Sequence, residues 1–328
     1  MSAAPVSEVD APAAAKAAAV SGASGASGAY DAPAVASAVV EQRSPVSDIL
    51  TLGKPQITLM AVLTAAGGFV LAPGAVHFAQ LMLTLAGTAL LVASANTLNM
   101  WLERSSDRLM TRTARRPLPA GRMAPGVALL TGILEAAVGA PLLTFTVNGW
   151  AGLLGVFALL SYVLVYTPMK RLSPWALHVG AIPGAIPPLL GWAAATGRID
   201  APGLVLFGIL FLWQLPHFIA IALFRKADYA RAGIRILPVV KGDAAARRHA
   251  LVTAVMLLAV SVLLYPLGVA GLVYLISAIV LGALFVGCAA YGVFARAPGD
   301  RWARQLFGVS LLYLTLLFVA LMAPHSLG

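Results

Sequence analysis

From Pro55 onward the chain stays apolar for about twenty residues at a time, and the breaks between these runs are mostly short. A helix rises ~1.5 Å per residue, so about twenty residues cross the ~30 Å hydrocarbon layer of a bilayer. The runs fall at 55–73, 78–98, 126–146, 149–168, 175–196, 202–223, 249–267, 270–294 and 305–323. Hydrocarbon offers the backbone no hydrogen-bond partner, so a spanning chain must be helical or form a closed barrel. Barrel strands alternate apolar and polar residues; these runs do not. The expected fold is all-α, a polytopic bundle of nine transmembrane helices. Composition points the same way: 60% of the residues are apolar and 10% are charged, against roughly 25% charged in soluble domains.

The net charge of +10 suits either a nucleic-acid partner or the excess of cations that membrane proteins keep on their cytoplasmic side. The distribution decides. Of the 22 lysines and arginines, all but Arg198 lie before the first run or in alternate loops. With nine crossings this places the amino terminus and the basic loops in the cytoplasm and explains the charge without nucleic acid. The single cysteine, Cys288, permits no intrachain disulfide and no cysteine metal cluster. Residues 1–44, with SGASGASGA at 21–29, have little to bury and are expected to form a disordered cytoplasmic tail before a membrane domain at 45–328.

The external breaks carry little charge, whereas two cytoplasmic loops are long and ionisable, so a site is expected to open toward the cytoplasm. In the first loop, Asn99, Glu103 and Asp107 recur every four residues. On a helix they share an arc of about 80°, each about 6 Å along the axis from the next. Two carboxylates and an amide oxygen on one face suit Mg²⁺, which shares its remaining positions with water and substrate phosphates. The arginines that follow could fork onto a diphosphate. Surface Glu–Arg pairs at a helix end are the alternative for the same spacing. The second loop holds Asp228, between Arg225 and Arg231, and His217 lies about two turns deeper in an apolar helix. An intramembrane histidine is either a functional group or a satisfied core residue. The stretch Gly180–Pro188 carries three prolines and two glycines, which work against an undistorted helix. Glu135 and His178 receive no role.

Four segments together resemble the UbiA superfamily of intramembrane prenyltransferases, and within it the haem-farnesylating branch. They are NMWLERSSDRLMTRTARRPLPAGR at 99–122, YTPMKRLSPW at 166–175, GAIPGAIPPLLGWAAATG at 180–197, and WQLPHFIAIALFRKADYARAGIRILPVVKG at 213–242. Their order and spacing match over about 45–325. The superfamily's first acidic motif falls on Asn99, Glu103 and Asp107. Its second keeps only Asp228, with Ala232 where a partner acid would stand.

The resemblance implies a Mg²⁺-dependent farnesyl transfer from farnesyl diphosphate to the vinyl group of haem b, with water added, giving haem O and free diphosphate. It implies that Asn99, Glu103, Asp107 and Asp228 hold the Mg²⁺–diphosphate, that Arg112, Arg116, Lys170 and Lys226 contact the diphosphate, and that His217 contacts haem. A lipid bilayer, as the bacterial inner membrane, and handover to a haem A synthase or an oxidase-assembly partner complete the expectation. A UbiA-type enzyme with an aromatic acceptor and a secondary transporter are the competing readings. Coupled transporters place ionisable groups near the midplane, whereas here nearly all acids after the tail lie at the ends of the runs.

Overall fold

The structure, a computed structural model, describes residues 44–110, 113–295 and 299–323. The expected tail falls outside the described residues except for Ser44. The described residues form helices and no strand. These are α1 (Pro45–Leu52), α2 (Pro55–Val70), α3 (Phe78–Asp107), α4 (Pro125–Pro141), α5 (Gly149–Leu160), α6 (Thr167–Met169), α7 (Ala176–Thr196), α8 (Ala201–Phe224), α9 (Lys226–Arg231), α10 (Leu237–Val240), α11 (Asp243–Ser261), α12 (Leu272–Phe294) and α13 (Gly299–Leu321). Proline in the first turn opens α1, α2, α4 and α8, where its missing N–H would have had no helical partner. A wider π-helical turn at Leu142–Val147 extends α4, and another at Ser161–Tyr166 joins α5 to α6. Asn148 between them is extended and caps α5 by accepting from the Ala151 N–H at 2.9 Å.

Eight helical segments of the described chain are each long and apolar enough to span, and the ninth crossing exists only if α1 and α2 are taken together across a 48° bend. That bend corrects the first expected span. The run starting at Pro55 gives a helix of 16 residues, about 24 Å long at ~1.5 Å per residue, and the polar segment before it is a helix of its own.

α7 is the hub. It packs against α2, α5 and α8, and despite Pro183, Pro187 and Pro188 it runs unbroken from Ala176 to Thr196. Protein surrounds it: residues 185–194 are buried without exception. Around it lie one apolar core contributed largely by α8, α11, α12 and α13, and a second by α3, α5 and α7. Against α2 the contact is backbone to backbone. A Cβ on Gly191 would overlap the Ala65 carbonyl, and one on Gly68 would overlap the Pro188 carbonyl. Small residues at such crossings let membrane helices gain dispersion contact over their full length.

Substituting Gly191→Leu is therefore expected to push α2 off α7 and destabilise the bundle by about 1–3 kcal/mol or more, measured as a lower unfolding temperature in detergent. Gly287→Leu is the control, because an added Cβ there meets nothing within 4 Å and the melt should not move. Equal melting of the two variants would refute the backbone contact.

Candidate active site

α3 continues beyond the apolar run that began it, to Asp107, and its last turns carry the three expected oxygen donors on one face. Asn99 and Asp107 are each 1% exposed, so these are not solvated surface groups. The Asn99 amide donates from Nδ2 to Glu103 Oε2 at 3.0 Å and to Thr167 Oγ1 at 3.0 Å. Thr167 spends its own proton on the Tyr162 carbonyl at 2.8 Å, so it must accept from Asn99. That fixes the amide orientation and turns Asn99 Oδ1 toward Lys54, whose Nζ donates to it at 3.2 Å.

The carboxylates are capped in the same manner. Lys170 Nζ donates to both oxygens of Glu103, at 2.9 and 3.1 Å, and lies 4.4 Å from the centre of the Tyr166 ring. Arg116 Nη1 donates to Asp107 Oδ2 at 2.7 Å. Thr113 ties the basic loop back to the helix end by donating to the Asp107 carbonyl at 2.8 Å. Farther along, Arg122 forks onto the buried Asp48 of α1 with both contacts at 3.0 Å, a bidentate pair that fixes orientation as well as distance. The polar cluster thus joins α3, the α1–α2 junction, α6 and its flanking residues, and the basic loop.

Of the residues expected to act together, the structure gathers Asn99, Glu103, Asp107, Arg116 and Lys170. Arg112 lies outside the described residues. Asp228 pairs with Arg225 and Arg231 of its own segment, and no hydrogen bond or ion pair among the described residues joins it to α3. Lys226 pairs with Asp243 at 2.8 Å. The segment that follows them is nonetheless a neighbour: the Arg235 N–H donates to the Lys170 carbonyl at 3.1 Å.

His217 lies in a separate aromatic niche between α8 and α13, stacked on Trp213 with ring centres 4.7 Å apart and facing Phe307 at 4.8 Å. Ser310 Oγ donates to the Phe307 carbonyl at 2.6 Å, so its 2.7 Å contact with His217 Nδ1 has the ring N–H donating. Nε2 then carries a lone pair and has no hydrogen-bond partner among the described residues. His178 instead meets His249 across α7 and α11, with the two Nε2 atoms 2.8 Å apart.

Two members of the cluster, Lys54 and Thr167, have no place in the expected site. Lys54 did leave a signal, as the only cation between Arg43 and Arg104; a hydroxyl such as that of Thr167 leaves none. Among the described residues no three His, Cys, Asp or Glu side chains converge on one point. The oxygen face of α3 fits a hard divalent cation that draws part of its coordination from water and a bound phosphate, and does not form a complete protein cage.

The model of the UbiA prenyltransferase family matches residues 61–322. Among curated relatives, the protoheme IX farnesyltransferase of Sorangium cellulosum is 55% identical over 78% of this chain and 91% of its own. That of Myxococcus xanthus is 49% identical over 84% and 93%. In fold, the chain resembles a solved digeranylgeranylglyceryl phosphate synthase with a TM-score of 0.74 at 19% identity, covering 84% of this chain and 96% of that one. It also resembles a UbiA homologue from Archaeoglobus fulgidus bound to GPP and Mg²⁺, with a TM-score of 0.58 at 17% identity over 84% of this chain and 100% of that one. Oxygen donors capped by cations at the end of a long membrane helix, set in this bundle and this sequence neighbourhood, lead to one assignment: the chain belongs to the UbiA prenyltransferase family.

Proposed function

We propose that this chain transfers the farnesyl group of farnesyl diphosphate to haem b and that Asn99, Glu103 and Asp107 hold the diphosphate end through Mg²⁺. The observation that carries the reading is the α3 oxygen face, buried and capped by Lys170 and Arg116, in a chain 55% identical to a protoheme IX farnesyltransferase. The solved homologue with GPP and Mg²⁺ supports the metal. When bound, Mg²⁺ supplies Lewis-acid neutralisation of the departing diphosphate.

The protein's own groups do the rest. Arg116 and Lys170 stand where charge accumulates as the allylic C1–O bond breaks and its electron pair leaves on the diphosphate. The apolar side chains of the α3–α5–α7 core, among them Leu91, Leu154 and Leu190, keep bulk water from the farnesyl cation. The haem vinyl carbon then bonds to C1, and a water adds to the new cation beside the porphyrin and releases a proton. Asp228 and Lys226 lie on a segment that borders the cluster, and together with Arg112 they are proposed to complete the diphosphate site. His217, with its Nδ1–H committed to Ser310, is proposed to meet haem through Nε2. The charge of the basic loops supports a site on the cytoplasmic side of a bacterial inner membrane with the amino terminus inside, and haem O is proposed to pass from there to a haem A synthase or an oxidase-assembly partner.

For Asp107→Asn the expected result is loss of farnesylated haem by on the order of a hundredfold or more, read by mass spectrometry of extracted haems, with normal yield and elution in detergent. Activity near that of the parent would end the metal-site reading. For His217→Ala the expectation is a KM for haem roughly tenfold higher with the KM for farnesyl diphosphate unchanged. The opposite pattern would remove His217 from the haem site.

A further inference from the structure

Lys54 is the one non-glycine residue among those described whose φ is positive, at 48°. Left-handed backbone is unfavourable for a side chain with a Cβ and persists where the surroundings over-determine it. Gly53 stands next to it and would have adopted that conformation freely, so economy of backbone strain does not explain the arrangement. What the conformation achieves is a direction. It places the ammonium at Asn99 Oδ1, within the electrostatic reach of Arg116, Lys170, Glu103 and Asp107.

The cluster then has a regular form. Each of the three oxygen donors at the end of α3 is capped by a cation from a different part of the chain: Lys54 on Asn99, Lys170 on Glu103, Arg116 on Asp107. With Lys54 protonated, three cations and two carboxylates leave a formal charge of plus one. A divalent cation arriving alone finds these side-chain oxygens engaged and raises the charge to plus three. A prenyl diphosphate, a trianion, arriving with it restores neutrality and gives the displaced cations new oxygens to hold.

We propose that Lys54 is a third cation of the diphosphate site: it caps Asn99 Oδ1 while the site is empty and moves to the diphosphate when a divalent cation takes that oxygen. Metal and diphosphate then bind as a pair. This rests on the reading of Asn99, Glu103 and Asp107 as the metal–diphosphate site.

The test uses the full chain in detergent, with Mn²⁺ alone followed by electron paramagnetic resonance, and inorganic pyrophosphate at saturating Mn²⁺ followed by calorimetry. Lys54→Met is expected to bind Mn²⁺ alone severalfold more tightly, because the competitor for Asn99 is gone, and to bind pyrophosphate on the order of tenfold more weakly. Lys54→Arg should recover part of the pyrophosphate affinity. Lys54→Gly, which relaxes the backbone, should behave as Lys54→Met does and keeps the test open should the methionine variant not fold. Parallel weakening of both affinities, or no change in either, would overturn the role of Lys54. Parent protein binding neither Mn²⁺ nor pyrophosphate would overturn the underlying site as well, and Asp107→Asn separates the two failures because it should weaken Mn²⁺ whatever Lys54 does.

Discussion

The last turns of α3 carry carboxylates into a place where water is scarce, and much of the architecture at this end of the bundle follows from the need to neutralise them. Asp107 is 1% exposed, and a buried carboxylate without a partner is among the least favourable things a fold can contain. The remedy is distributed. Arg116 reaches Asp107 from a loop that Arg122 anchors to Asp48 of α1. Lys170 reaches Glu103 from just beyond α6, and the π-helical turn before it places Thr167 against Asn99. No cap comes from α3's own face; each arrives from elsewhere in the chain, so the cluster exists only when the bundle is assembled.

The bundle supplies the rigid frame. α7 contributes to both apolar cores: the one that includes Leu91 of α3, and the one that includes Trp213 and Phe307, the ring neighbours of His217. Its buried stretch has little room to shift, since α2 touches it backbone to backbone on one side and Gln214 of α8 donates to its Ala181 carbonyl on the other. A large flat acceptor and a long flexible donor ask for different surroundings. On the proposed reading, the polar, cation-lined end serves the diphosphate and the aromatic niche of α8 and α13 serves the haem.

The helical class and eight of the nine expected spans were legible because hydrocarbon thickness fixes how long an apolar run must be, and that constraint acts on sequence alone. The shared face of Asn99, Glu103 and Asp107 was legible for a similar reason: a continuous helix turns spacing directly into direction. The failures have physical causes too. The prolines of α7 suggested a distorted helix, yet burial on every side holds it together, and burial is a tertiary property. The break before α2 had a visible cue in Gly53-Lys54-Pro55, since the residue before proline avoids the right-handed helical region, but the left-handed turn it took depends on where Asn99 lies. The position of Asp228 between Arg225 and Arg231 already offered a local salt bridge as the alternative to a shared site, and the coordinates show both arginines paired with it.

The tight crossing of α2 and α7 also orders events during synthesis. α2 leaves the ribosome early and must wait in the bilayer while α3 to α6 are made, because the glycines that receive it are matched to a helix not yet translated. In the finished fold the junction bearing the lysine is held by α3 as well, whose Asn96 Nδ2 donates to the Gly53 carbonyl and whose Asn99 Oδ1 accepts from Lys54. A nascent chain arrested before α7 therefore has every side chain of the α3 cluster and lacks the helix against which α2 packs backbone to backbone.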